Sequence, residues 1–173
     1  LSSRNIPATV FVVSDRVREG YRCKKCLDVP ELQEMAKAGW EIGSHSKTHA
    51  NLTALSAERL ELELKGSKLK LESYGFTVRS FCYPYAEYNE TVVSTTKKYY
   101  EIACHCSSTE LPYVAGYLSN EGDKPWAQFG RMHLWDNTTK AINYIDKAIK
   151  QKAWIHFFFH MCYSDGTVDH GVN

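Results

Sequence analysis

An α/β fold built on a largely parallel sheet is what this sequence predicts, and three observations carry the prediction. Short apolar runs alternate with amphipathic segments from end to end. The apolar runs are nearly continuous, as strands in a sheet covered by helices must be. The amphipathic segments are long enough to serve as the helical crossovers that parallel strands need. Either an α/β barrel or a doubly wound sheet satisfies this pattern.

The elements follow in order. Ala8 to Val13 reads as a buried strand, and Pro30 to Ala38 as a helix closed by Gly39. Trp40 to Gly43 is a second short strand. Ser56 is placed to cap a long helix reaching about Tyr74, with Leu60, Leu64 and Leu71 on one stripe, charges around the rest and Gly75 as its stop. Ser80 to Tyr83 is the next strand, Glu90 to Tyr100 the next helix and Glu101 to Cys104 the strand after it. Ser107 to Gln128 reads as a long polar loop. Gly130 to Leu134 is then a strand, Thr138 to Lys150 a helix with Ala141, Ile142, Ile145 and Ile149 inward, and Trp154 to Phe159 a strongly apolar final strand.

The chain of 173 residues with 43% hydrophobic content is the size of one domain with a sizeable core, spanning 1–173. Its 21 basic and 20 acidic residues leave a net charge of +1, and no basic stripe is interleaved with aromatics, so nucleic acid is not an expected partner. No apolar run approaches the ~20 residues that span a bilayer, and Leu1-Ser2-Ser3-Arg4 lacks the apolar core of a signal peptide. The absence of an initial Met suggests a processed or truncated product. Six cysteines include the clusters Cys23-Lys24-Lys25-Cys26 and Cys104-His105-Cys106, with Cys82 and Cys162 isolated. Disulfides or thiols are favoured over a structural zinc site, because the clusters lie far apart and neither is flanked by a hairpin. Asn-x-Ser/Thr triplets at Asn51, Asn89 and Asn137 favour a secreted chain, outside the cell or in its envelope.

The stretch Glu41-Ile42-Gly43-Ser44-His45-Ser46-Lys47-Thr48-His49 carries the most chemistry, since it sets two imidazoles four positions apart. Were it helical, both side chains would share a face about 5–6 Å apart at Cβ, close enough to grip one cation. A metallopeptidase would need Glu directly after the first His, where Ser46 stands. Other polar residues also follow strands: Pro84-Tyr85 after one and His160 after the last. In parallel α/β folds such positions converge on one face. His156 reads as structural, and His105, His133 and His170 receive no role.

Taken together, these segments resemble the polysaccharide deacetylase family, the NodB-homology domain of carbohydrate esterase family 4, from about Asn5 to about His160. Asn5-Ile6-Pro7-Ala8-Thr9-Val10-Phe11-Val12 is similar to the family's Ile-Pro-Ala-Thr-Phe-Phe-Val strand, and Gly39 to Leu52 to its second motif. Phe81-Cys82-Tyr83-Pro84-Tyr85 resembles the third motif and Phe158-Phe159-His160 the fifth. The resemblance implies an irregular (β/α) barrel of the NodB type, here lacking its first strand and its C-terminal end. It implies His45 and His49 as ligands of a divalent metal, commonly zinc, together with an Asp of motif one. A second Asp of that motif would be the general base, Tyr85 would lend its backbone N–H to the oxyanion, and His160 would be the general acid. Amide hydrolysis needs those roles: an electrophile, a base, an oxyanion donor and an acid for the leaving amine.

The chain departs from the family pattern in places. Motif one should lie upstream of Asn5, before the sequence begins. Asp15 is the one nearby carboxylate, at what is an ordinary loop position in the family. The motif-three Arg is Cys82 here; Arg131 either supplies that charge from a neighbouring strand or is a surface ion-pair partner. Trp126 and Trp135 are both open to the motif-four Trp role and to plain packing. The expected function is metal-dependent removal of N-acetyl groups from a chitin-like, poly-N-acetylglucosamine-like or peptidoglycan-like glycan. The alternatives are a non-catalytic glycan-binding domain on the same fold and an O-acetyl xylan esterase.

Overall fold

The computed structural model describes residues 8–17, 26–107, 117–120, 125–133, 146, 157–158, 161–162 and 168–169. Strand β1 (Thr9–Val12) pairs in parallel with β2 (Glu41–Ser44), which pairs with β3 (Ser80–Cys82), then β4 (Ile102–Ser107), then β6 (Pro125–His133). The far edge of β6 takes β5 (Tyr117–Asn120) antiparallel and β7 (Phe157–Phe158) parallel. Strands β8 (Met161–Cys162) and β9 (Val168–Asp169) form a separate antiparallel pair. The parallel strands follow chain order, without the reversal that marks a doubly wound sheet. Of the two architectures the sequence allows, this is the winding of a barrel.

Local signals explain the first half of the chain. Helix α1 (Val29–Lys37) starts on a capping box in which Asp28 accepts from the Glu31 N–H at 2.9 Å and Glu31 accepts from the Asp28 N–H at 2.8 Å. Helix α2 (Ala57–Ser73) is capped by Ser56 and buries Leu60, Leu64 and Leu71. Both helices stop at a glycine in the left-handed region, Gly39 at φ 87° and Gly75 at φ 91°, where a Cβ would strain the backbone. Helix α3 (Glu90–Lys97) is capped by Asn89, which accepts from the Val92 N–H at 2.9 Å. The leucine stripe of α2 meets Leu32, Ile42, Phe81, Val92 and Ala103 in one core, so helices and parallel strands share a single apolar layer. Among the described residues no helix is long and apolar enough to cross a membrane.

Two expectations need correction. Helix α3 ends at Lys97 rather than Tyr100, whose hydroxyl instead reaches back to the Leu64 carbonyl at 2.8 Å. The expected loop from Ser107 to Gln128 contains β5 and the start of β6. An antiparallel edge strand needs no continuous apolar run, and Pro125 is tolerated as the first residue of a strand, so neither announces itself in composition. The segment from His45 to His49, whose conformation the spacing left open, is not helical. The helix expected over Thr138 to Lys150 and most of the strand expected over Trp154 to Phe159 lie outside the described residues.

Cys26 is disulfide-bonded, while Cys82 and Cys104, register neighbours on β3 and β4, are buried thiols. Asn51 and Asn89 both use their side chains as caps, and the Asn51 amide also donates to Glu87.

Gly43 lies opposite Phe11, and a Cβ there would meet the Phe11 ring at 2.7 Å and Ser80 Oγ at 2.6 Å. Gly43→Ala is therefore expected to destabilise the protein by about 1–3 kcal/mol through overpacking. The urea unfolding midpoint reads the effect; an unchanged midpoint would mean that the ring moves aside freely.

Candidate functional site

The carboxyl ends of β1, β2 and β3 open on the same side of the sheet because the strands are parallel. The loop after β2 is tied to the end of β1 by backbone hydrogen bonds: His45 N–H to Val12 O (2.9 Å), Ser14 N–H to Ser46 O (3.2 Å) and Asp15 N–H to Lys47 O (3.0 Å). Ser46 is fully buried and accepts from the His49 N–H at 2.9 Å, folding the loop back on itself. This turn, with Ser46 at φ 66° and His49 at φ 68°, does what a helical period would otherwise do. It brings the His45 and His49 rings to a centroid distance of 4.8 Å, edge to face at 73°.

The two imidazoles are prepared differently. His45 Nδ1 lies 2.7 Å from the Cys82 carbonyl. A carbonyl only accepts, so Nδ1 carries the proton and Nε2 keeps its lone pair for a ligand. His49 has its pKa lowered from 6.5 to about 4, first by burial and then by the charges of His45 and Arg16. It is neutral at physiological pH, the form that binds metal. In the metal-free protein, unfolded His49 takes up its proton near pH 6.5 and folded His49 only near 4. The unfolded state binds more protons in that window, so stability is expected to fall as pH drops from 6.5 towards 4. Allowing for screening at this half-buried ring, the loss is about 1–2 kcal/mol. Urea unfolding across that range should give a steeper pH slope for the native chain than for His49→Gln, and equal slopes would contradict the assignment.

The loop after β3 completes the arrangement. Tyr85 stands edge to face with His49 at 4.8 Å, its side chain 53% exposed. Tyr85 and Ala86 adopt φ of 57° and 59° in succession. Among the described residues every non-glycine with positive φ, namely Ser46, His49, Tyr85 and Ala86, belongs to these two loops. Each such residue costs on the order of 1–3 kcal/mol, strain that accumulates at functional sites. The Tyr85 N–H donates to no described residue, which leaves it available to an anionic oxygen.

Asp15 is engaged by Lys47 at 2.5 Å and Lys70 at 3.4 Å. Burial alone would raise its pKa, but the hydrogen bonds and charges of those lysines outweigh it and lower the value. Its carboxylate is committed to this ion-pair cluster rather than offered to the histidines. Among the described residues no group of three or more His, Cys, Asp or Glu side chains is placed to hold a metal. Arg131 sits near the carboxyl end of β6, opposite Cys106 and across β4 from β3. Trp126 pairs with Ser119 in the β5–β6 hairpin. His160 and Trp135 lie outside the described residues.

Some groups that shape the site escaped sequence reasoning. Arg16 acts on His49 through its charge, and the Cys82 backbone carbonyl orients His45. Glu63, on α2, accepts from the loop itself. None of these belongs to a recognisable spacing.

A family model described as polysaccharide deacetylase matches residues 1–100. This chain belongs to the polysaccharide deacetylase family. The solved structure of a polysaccharide deacetylase from Bacillus cereus is 27% identical to this deacetylase-family chain, with a TM-score of 0.63 over 83% of the chain and 42% of the other. That of a putative polysaccharide deacetylase from Bacillus anthracis is 25% identical, with a TM-score of 0.62 over 79% and 41%. A CE4 family pseudoenzyme from Bacillus anthracis shares the fold at 19% identity, with a TM-score of 0.56 over 90% and 55%. The chain thus spans about two fifths of the first two relatives, at 42% and 41%. Comparison with curated proteins returned no match.

Proposed function

We propose that this polysaccharide deacetylase family chain carries the metal-binding half of a hydrolase that removes acetyl groups from an N-acetylated glycan outside the cell or in its envelope. The observation that supports it is the pairing of His45, whose tautomer the Cys82 carbonyl fixes, with a neutral His49 at 4.8 Å. Two imidazoles at this separation suit a divalent cation, and imidazole donors favour zinc. When bound, such a cation supplies Lewis acidity towards the acyl group.

Two of the remaining roles fall to this chain's own groups, and the general base is assigned to the motif-one Asp that the family resemblance implies. The Tyr85 N–H is the donor to the oxyanion that develops as water adds to the amide carbon. His160 gives its proton to the leaving amine as the C–N bond breaks, so acetate and a free amino sugar result. Arg131 is assigned to orienting the base. The amide character of the substrate is the finer part of the reading, since the same groups would serve an O-acetyl ester. Glycan binding without hydrolysis is the second reading, and the pseudoenzyme of the same fold supports it.

The deciding experiment measures acetate release from N-acetylglucosamine oligomers by the longest natural form of this chain, with and without zinc. Zinc-dependent release is expected. Binding of oligomer and zinc without release would establish the second reading, and release only from acetylated xylan would change the substrate.

A further inference from the structure

The side chain that grips the His45–His49 loop comes from neither strand beside it. Glu63, on the buried face of α2, is 8% exposed. Its Oε2 accepts from the Lys47 N–H and the Thr48 N–H, both at 2.9 Å, and its Oε1 accepts from Thr48 Oγ1 at 2.7 Å. All three donors lie between the two histidines. A carboxylate this buried is costly unless its oxygens are satisfied, and these donors satisfy it with charge-assisted bonds.

The loop also needs what Glu63 gives. Ser46 and His49 are held in the left-handed region, which no L-residue prefers, and such a turn persists only when its surroundings over-determine it. The same helix holds the chain just before the loop, where Ser44 Oγ donates to Ser67 Oγ at 2.9 Å. Helix α2 therefore holds the chain on both sides of His45, through the Ser44 side chain before it and the Lys47 and Thr48 N–H groups after it. We infer that Glu63 is a positioning residue: by fixing Lys47 and Thr48 it sets the separation and mutual angle of the two imidazoles for a divalent cation. This inference rests on the metal-binding reading of the site.

Glu63→Gln keeps the shape but removes the charge and half of the acceptor capacity. Cobalt(II) titration of the longest natural form of the chain, followed by its visible absorption, gives affinity and coordination geometry without any turnover assay. Removing a group that orients metal ligands characteristically weakens binding about 10–100-fold. At least about tenfold weaker binding with an altered spectrum is expected for Glu63→Gln. Leu71→Ala, on the same helix but in the core, separates positioning from stability: it should lower the unfolding midpoint and leave cobalt affinity and spectrum unchanged. If Glu63→Gln does not fold, Thr48→Val removes one of the three bonds from an exposed side chain and should weaken cobalt binding by a smaller factor. Native affinity and spectrum in a folded Glu63→Gln or, failing that, in Thr48→Val overturn the inference while leaving the metal reading intact. Failure of the native chain to bind cobalt removes both, and is recognised by that fact.

Discussion

His45→Ala is expected to abolish zinc-dependent acetate release while leaving the protein folded. The substitution removes the Nε2 lone pair that the Cys82 carbonyl presents, and with it one of the two paired imidazoles proposed to hold the metal. Electrophilic stabilisation by a metal amounts to several kcal/mol, and each ~1.4 kcal/mol is tenfold in rate, so a loss of about 10³-fold or more follows. The structural penalty is small by comparison. One hydrogen bond to a backbone carbonyl is lost, at a cost of about 0.5–1.5 kcal/mol. The two effects are separated by measuring the unfolding midpoint and zinc stoichiometry beside the rate. An inactive variant with a near-native midpoint and reduced zinc content supports the assignment; full activity would remove His45 from the site.

Phe81→Ala is expected to be the most damaging change to stability. The ring is 0% exposed, lies at centroid distances of 4.9 Å from Tyr100 and 5.4 Å from Tyr83, and fills the space between the sheet and α2. Truncating a buried Phe costs about 3–5 kcal/mol in lost transfer energy and cavity formation. Against a total stability of about 5–15 kcal/mol, that is a large fraction. Phe81→Leu keeps most of the volume and should cost far less. Urea unfolding of the pair measures the difference; equal midpoints would mean that the core collapses around the missing ring.

The two largest effects thus meet at neighbouring positions, and they were not equally legible. Phe81 stands in a continuous apolar run, so its burial follows from the sequence. The caps at Asp28, Ser56 and Asn89 and the stops at Gly39 and Gly75 are equally local, each decided within a few residues. The β5–β6 hairpin was not legible, because an antiparallel edge strand carries no continuous apolar run to announce it. The histidine pair was legible as a spacing and not as a conformation. A helix would have brought the rings together by its own period, whereas here left-handed residues do so, and nothing in Ser46 or His49 announces a positive φ.

Glu63 was hidden for a related reason. It lies in the run Leu60-Glu61-Leu62-Glu63-Leu64, where charges read as the solvated side of a helix. Leu62 is in fact 58% exposed and Glu63 8%. Hydrophobic periodicity cannot report such an inversion, because the donors that make it favourable come from another segment. Asp15 shows the converse: it is the one nearby carboxylate in the sequence, and Lys47 and Lys70 engage it.

The contacts that hold the histidine loop reach mostly forward along the chain: Lys47 and Thr48 to Glu63, Ser44 to Ser67, and His45 to the carbonyl of Cys82. A nascent chain that has emerged only as far as His49 has both imidazoles and the backbone ties to β1, but neither the Glu63 carboxylate nor the Cys82 carbonyl. The histidine spacing is written early in translation and becomes geometry only after the third strand has joined the sheet.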